Sequence, residues 1–161
     1  LAAALTAVGD DFALYAFASE SRQRVLCYRI KHFGEAYGER ARRRLLGLTP
    51  AYYTRMGAAI RHVGARLEQR TSSQKLLLVL TDGRPNDPPD GYEGRYALED
   101  TRRALLELRA RGIHGFGLTI DQHGREYLPH LFGPGRYAVL SQPQFLPRVL
   151  PKLYARLTLA P

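Results

Sequence analysis

The chain has 161 residues, 45% apolar and 24% charged, which excludes intrinsic disorder and a disulfide-stapled miniprotein and fits one globular domain. Lys and Arg number 24 against 15 Asp and Glu, a net charge of +9, and every cation except Lys31, Lys75 and Lys152 is arginine. A field of that sign draws polyanions, but arginines such as Arg40, Arg42, Arg43 and Arg44 follow one another along a helical stretch rather than an aromatic-interleaved block.

The single Cys27 forms no intrachain bridge and belongs to no metal quartet, which points to a reducing compartment, the bacterial cytoplasm. The longest aliphatic run, Leu76 to Leu80, is far short of the ~20 residues of a membrane-spanning helix. Leu1 to Leu5 has neither an initiator Met nor the basic region of a signal peptide, so residues 1–161 are expected to be a single domain cut from a longer protein, incomplete at its N-terminus.

Leu1 to Val8 reads as the end of a helix stopped by Gly9-Asp10-Asp11. Phe12 to Ala18 and Val25 to Lys31 are short apolar runs expected as strands. Glu35 to Leu48 is helical and closed by Gly47 and Pro50. Met56, Ala59, Ile60, Val63 and Leu67 space one apolar face of a helix from Arg55 to Arg70, with Thr54 as the expected N-cap.

Lys75 to Leu80 is a near-pure Leu/Val run ending in Thr81-Asp82-Gly83, the pattern of a central parallel strand buried on both faces. The segment Pro85-Asn86-Asp87-Pro88-Pro89-Asp90-Gly91 forces a loop before a helix from Tyr96 to Arg111, capped by Gly112. Ile113 to Ile120 is the next strand, Glu126 to Phe132 a short helix, Arg136 to Leu140 a last strand, and Gln144 to Leu159 a final helix. The alternation predicts an α/β fold, Rossmann-like, with a mostly parallel sheet and helices on both faces.

Ligands of such sheets gather beyond the carboxyl ends of the strands. Asp82 stands there, followed by the flexible Gly83, and has two readings: a ligand for a hard cation, or a cap for its own turn. Thr54 at a helix start could place a neutral oxygen beside that carboxylate.

Several strings then resemble one family. YTRMGAAIRH (Tyr53 to His62), LVLTDGRPND (Leu78 to Asp87), DGYEGRYALEDTRRAL (Asp90 to Leu105) and LFGPGRYAVLSQPQFLPRVLPKLYARLT (Leu131 to Thr158) are similar to the von Willebrand factor A (VWA) region of NorD and CbbO proteins. The resemblance implies a VWA fold with a metal-ion-dependent adhesion site (MIDAS) of three loops, to which Thr54 and Asp82 would contribute. The family's Asp-x-Ser-x-Ser loop is nowhere in the chain; Phe17-Ala18-Ser19-Glu20-Ser21 has Phe where Asp is required and follows the wrong strand. The first strand is therefore expected to be absent from this chain, and Mg²⁺ (or Mn²⁺ or Ca²⁺) to bind weakly. The family further implies a non-catalytic adaptor that works with a MoxR-type AAA+ ATPase on a client complex, nitric oxide reductase or Rubisco. By likeness to its loops, Gly83, Arg84, Tyr92 and Arg95 are expected at the partner-binding rim.

No phosphate loop, Gly-x-Ser-x-Gly elbow or His-Glu-x-x-His pair suggests an enzyme. His62 and His114 read as satisfied structural histidines, and Cys27, inside a strand, as an inert thiol. A metal-dependent phosphohydrolase built on Asp82, Asp87 and Asp90 is one alternative, although Asp87 and Asp90 are expected to shape the turn and stay solvated. Nucleic-acid binding through the arginines and Tyr52, Tyr53, Tyr92 and Tyr96 is another; no helix-turn-helix, zinc or RNP signature supports it.

Overall fold

The computed structural model describes residues 2–145 and Val149. Helix α1 (Ala2–Val8) leads into a hairpin of β1 (Leu14–Ser21) and β2 (Arg24–Lys31), followed by α2 (Glu39–Leu46) and α3 (Met56–Glu68). Strand and helix then alternate through β3 (Lys75–Thr81), α4 (Gly94–Ala110), β4 (Ile113–Thr119), α5 (Gly124–Phe132) and β5 (Tyr137–Val139). The expected helix from Gln144 to Leu159 lies, beyond the 3-10 turn Pro143–Phe145 and Val149, outside the described residues.

The α/β character is present and compatible with a Rossmann-like fold, but the strands form two sheets. β1 and β2 pair antiparallel, whereas β3, β4 and β5 form a parallel sheet in that order. This corrects the expectation for Lys75 to Leu80. β4 is the central strand, β3 pairs only with β4 among the described residues, and Leu80 is 42% exposed. An unbroken apolar run reports how side-chain faces are covered, not how many strands flank the backbone.

The period of two along the strands decides what each face meets. Leu77 and Val79 of β3, Ile113 of β4 and Tyr137 and Val139 of β5 fall on one face, where they join Met56, Ile60 and Leu67 of α3, Leu105 and Leu108 of α4, and Leu128 and Phe132 of α5 in one core. The three helices thus form a single layer. Leu78, Leu118 and Ala138 point to the opposite face and pack with Leu140 and Val149. Phe17 of β1 reaches the main core, tying the hairpin to the helical layer.

Two glycines set how closely the layers approach. A Cβ on Gly117 of β4 would lie 2.4 Å from Cε2 of Phe132, and one on Gly64 of α3 would lie 2.7 Å from Cδ1 of Leu108. The first seats α5 on the sheet, and the second seats α4 against α3.

Candidate functional site

The Pro-rich loop after β3 organises the carboxyl end of the sheet. Asp87 and Tyr92 pair across it (Asp87 N–H to Tyr92 O, 2.6 Å; Tyr92 N–H to Asp87 O, 3.2 Å), enclosing the 3-10 turn Pro88–Asp90. This loop then pairs with the segment before α3: Thr54 N–H donates to Asn86 O at 2.7 Å, and Asn86 N–H to Thr54 O at 3.1 Å. Tyr53 and Ser19 exchange a further pair of backbone bonds at 2.8 Å. β1, the Thr54 segment and the Pro-rich loop are therefore linked edge to edge.

Thr54 is not the helix cap expected from the sequence. Arg55 occupies the N-cap of α3 with no side-chain capping bond of its own. The backbone pairing with Asn86 holds Thr54 outside the helix, and Ser19 Oγ accepts the Arg55 N–H at 3.0 Å. Among the described residues the Thr54 side chain has no hydrogen-bond partner.

Arg55 is the hub that sequence reasoning missed. Its guanidinium is held by Asp87 at 3.1 Å and Asp90 at 3.0 Å, and lies 4.4 Å from the centre of the Tyr92 ring. Asp87 is wholly buried, and its Oδ1 has no hydrogen-bond partner among the described residues. The expectation of solvation is thereby corrected for Asp87, because a buried carboxylate requires a cation and Arg55 provides it, while Asp90 remains exposed. An Arg at a helix start carries no sequence signal for such a role.

Tyr92, expected at the rim, is 1% exposed. Its ring fills the space under Arg55, and its hydroxyl donates to Asp100 at 2.7 Å while Gly57 N–H approaches at 3.4 Å. Burial chiefly, with the Asp100 carboxylate adding to it, pushes its pKa up to about 12. Asp100 in turn binds Arg61 at 2.8 Å, and Arg61 binds Glu107 at 2.8 Å, so the network crosses from α3 to α4.

Asp82 occupies a different setting. The turn after β3 is closed by Thr81, whose Oγ1 donates to Gly83 O at 2.9 Å and accepts Gly83 N–H at 3.3 Å. Thr119 closes the end of β4 in the same way, accepting Asp121 N–H at 3.0 Å. With Thr81 serving the turn, the capping role is taken, and the exposed Asp82 carboxylate has no partner among the described residues. It stands at the lip of a groove of about 300 Å³ lined by Leu80, Leu118, Ile120 and Leu140 together with Thr81 and Thr119.

The other expected rim residues surround that loop. Gly83 is partly exposed. Arg84 is exposed, pairs with Glu126 and lies 5.3 Å over the Tyr127 ring. Arg95 is exposed at the start of α4 without an ion pair among the described residues. Tyr52, Tyr53 and Tyr96 are exposed too, and Tyr52 adopts a left-handed φ of 57°, a strained conformation for so large a residue.

Thr54 and Asp82 supply one hydroxyl and one carboxylate, less than a full cation shell. No group of three or more His, Cys, Asp or Glu among the described residues could hold a metal ion. Asp87 and Asp90, on which the phosphohydrolase alternative drew, are both engaged by Arg55. His130 pairs with Glu99 at 2.8 Å, whereas His62 and His114, read from sequence as satisfied, are exposed and have no hydrogen-bond partner among the described residues. Burial raises the Cys27 thiol pKa, with Arg66 opposing, which keeps the thiolate scarce near neutrality. No described helix is long and apolar enough to cross a membrane.

Comparison with known proteins gives relatives over almost the whole chain. It is 46% identical over 157 residues to a protein named NorD from Brucella melitensis, covering 98% of this chain and 25% of that protein. A NorD from Stutzerimonas stutzeri is 49% identical over 140 residues, 87% of this chain and 23% of that protein. An uncharacterized protein of Pseudomonas aeruginosa is 49% identical over 154 residues, 96% of this chain and 25% of that protein. The chain is thus related to NorD proteins and spans about a quarter of the length of the curated relatives it matches. No family model and no solved structure matches.

Proposed function

We propose, from this relationship to NorD proteins, that the chain is a non-catalytic, protein-binding adaptor domain of VWA type in a NorD-like accessory protein. In this reading it works in the bacterial cytoplasm with a MoxR-type AAA+ ATPase to activate or remodel a client enzyme such as nitric oxide reductase or Rubisco. ATP hydrolysis belongs to the partner, since this chain has no phosphate loop.

The observation that carries the reading is the unengaged Asp82 carboxylate. Thr81 relieves it of any structural duty, and it projects beside an apolar groove in a loop whose far side pairs with Thr54. Asp82 and Thr54 would hold Mg²⁺, Mn²⁺ or Ca²⁺ weakly, with water and a partner's carboxylate completing the shell. Gly83, Arg84 and Arg95 flank the docking surface, while Tyr92 acts from beneath it by fixing Arg55 and the loop.

The test is calorimetric binding of the full-length protein to its MoxR-type ATPase in Mg²⁺ and in EDTA, for the natural protein and Asp82→Ala. Binding should need Mg²⁺ and weaken about tenfold or more in the variant, whose stability should stay within about 0.5 kcal/mol of the natural protein. Equal affinity in all arms would refute the adaptor mechanism.

A further inference from the structure

At a distance from the Pro-rich loop, helix α3 lies across the hairpin and leaves a half-open pocket of about 290 Å³. From the helix side, His62, Arg66, Gln69 and Arg70 face it, spaced so that they share one side of α3 and its extension. From the hairpin side come Cys27 and Arg29 of β2, with His32 and Phe33 just beyond.

The wall of this pocket carries three guanidinium groups and no carboxylate. Arg29 and Arg66 engage no acid among the described residues. Arg70 is tied to Asp11 at 2.9 Å and stacks 5.1 Å over the Phe33 ring, which fixes its fork in place. Several arginines elsewhere have acid partners (Arg43 with Glu39, Arg44 with Glu35, Arg61 with Asp100 and Glu107, Arg111 with Glu68), and others, such as Arg95, have none among the described residues but do not line a concavity with other cations. The pocket wall thus gathers Arg29 and Arg66, without an acid partner among the described residues, beside Arg70, whose one acid, Asp11, is not part of the wall. Like charges gathered round a cavity repel unless an anion enters, and a guanidinium fork matches phosphate oxygens in pairs.

We propose that this pocket between α3 and the hairpin binds the phosphate group of a small phosphorylated molecule, gripped by Arg29, Arg66 and Arg70 with Gln69 as a neutral donor. Its size favours such a ligand over a nucleic-acid strand. The volume lies near the lower limit of small-molecule sites, roughly 300 Å³, and the cations converge on a hollow rather than following a track of successive phosphates. The proposal is independent of the adaptor reading, since it uses none of its residues.

Cys27 supplies the reporter. It lines the pocket, is half-buried, and is the sole cysteine of these 161 residues, so labelling by the neutral reagent N-ethylmaleimide, read on the peptide that carries Cys27, reports this site. The experiment titrates pyrophosphate by calorimetry at near-physiological salt and follows the labelling rate of Cys27 in parallel. One saturable site is expected, with labelling slowed at the same half-saturating concentration. Arg29→Gln and Arg66→Gln, exposed positions whose replacement leaves the fold intact by thermal melting, should each weaken binding about tenfold, the loss of one charge-assisted bond. Arg103→Gln, on an exposed part of α4, should change nothing.

Absence of saturable binding would overturn the proposal, as would binding that the two pocket variants leave intact or that Arg103→Gln weakens equally. Protection of Cys27 by a single-stranded oligonucleotide but not by pyrophosphate would overturn it in favour of nucleic acid. Adenosine diphosphate binding more tightly than pyrophosphate would support it and identify a nucleotide as the source of the phosphate. Asp82→Ala should leave every one of these readouts unchanged, which separates failure here from failure of the adaptor reading.

Discussion

Replacing Arg55 by Met removes one guanidinium from the best-buried polar network of the molecule. Arg55 is 7% exposed and Asp87 is fully buried, so the variant strands a carboxylate that already has one oxygen without a partner. Removing one member of a buried pair costs about 3–5 kcal/mol. The lost stacking over Tyr92 adds ~0.5–2 kcal/mol, whereas the half-solvated Asp90 recovers water and adds little. At ~2–4 °C per kcal/mol for a chain of this size, the melting temperature should fall by roughly 7–28 °C.

The diagnostic comparison is a double-mutant cycle with Asp87→Asn. If the cost comes from the stranded charge, Arg55→Met combined with Asp87→Asn should be less destabilised than the sum of the two single variants by at least ~1 kcal/mol. Denaturant unfolding followed by circular dichroism measures all four proteins. A loss below about 1 kcal/mol for Arg55→Met, or additive single effects, would refute the view of Arg55 as the partner that makes burial of Asp87 tolerable.

Gly117→Ala should destabilise by ~1–3 kcal/mol in the same assay, because its Cβ would lie 2.4 Å from a ring carbon of Phe132; a neutral result would mean that α5 is free to shift off the sheet. Tyr92 and Tyr127, both raised by burial to about 12 from a reference of 10.0, should ionise last in an absorbance titration at alkaline pH. Since the folded state holds these protons more tightly, their contribution is complete below pH 10 and is lost as pH rises towards 12; Tyr92→Phe should flatten that part of the stability curve.

The order and type of the elements were largely legible because the hydrophobic periods are strong. The α3 face from Met56 to Leu67 and the β3 run from Leu76 to Leu80 both lie where the pattern puts them. What could not be read was long-range pairing. Nothing local to Thr54 announces that Asn86 will claim its backbone, and nothing local to Arg55 announces two carboxylates more than thirty residues on. Tyr92 was misjudged for a related reason: an aromatic in a Pro/Gly loop looks exposed until a guanidinium from another segment covers its face. Asp82 is visible as a candidate because its position after an aliphatic strand depends on sequence alone. That Thr81 rather than Asp82 closes the turn is a choice of hydroxyl over carboxylate that composition cannot make.

The edge-to-edge linkage of β1, the Thr54 segment and the Pro-rich loop also has a meaning in time. β1 and β2 are joined by Arg22 and Gln23 alone, so the hairpin can close on the microsecond scale. β3 can meet β4 only after the whole of α4 has been threaded between them, a slower, non-local event. The Ser19–Tyr53 bridge needs only β1 and the segment before α3, whereas the Thr54–Asn86 bridge also needs the loop after β3 and so joins the two halves. The junction between the two halves thus closes only once the loop after β3 reaches the Thr54 segment, and the docking surface proposed around Asp82 shares that loop.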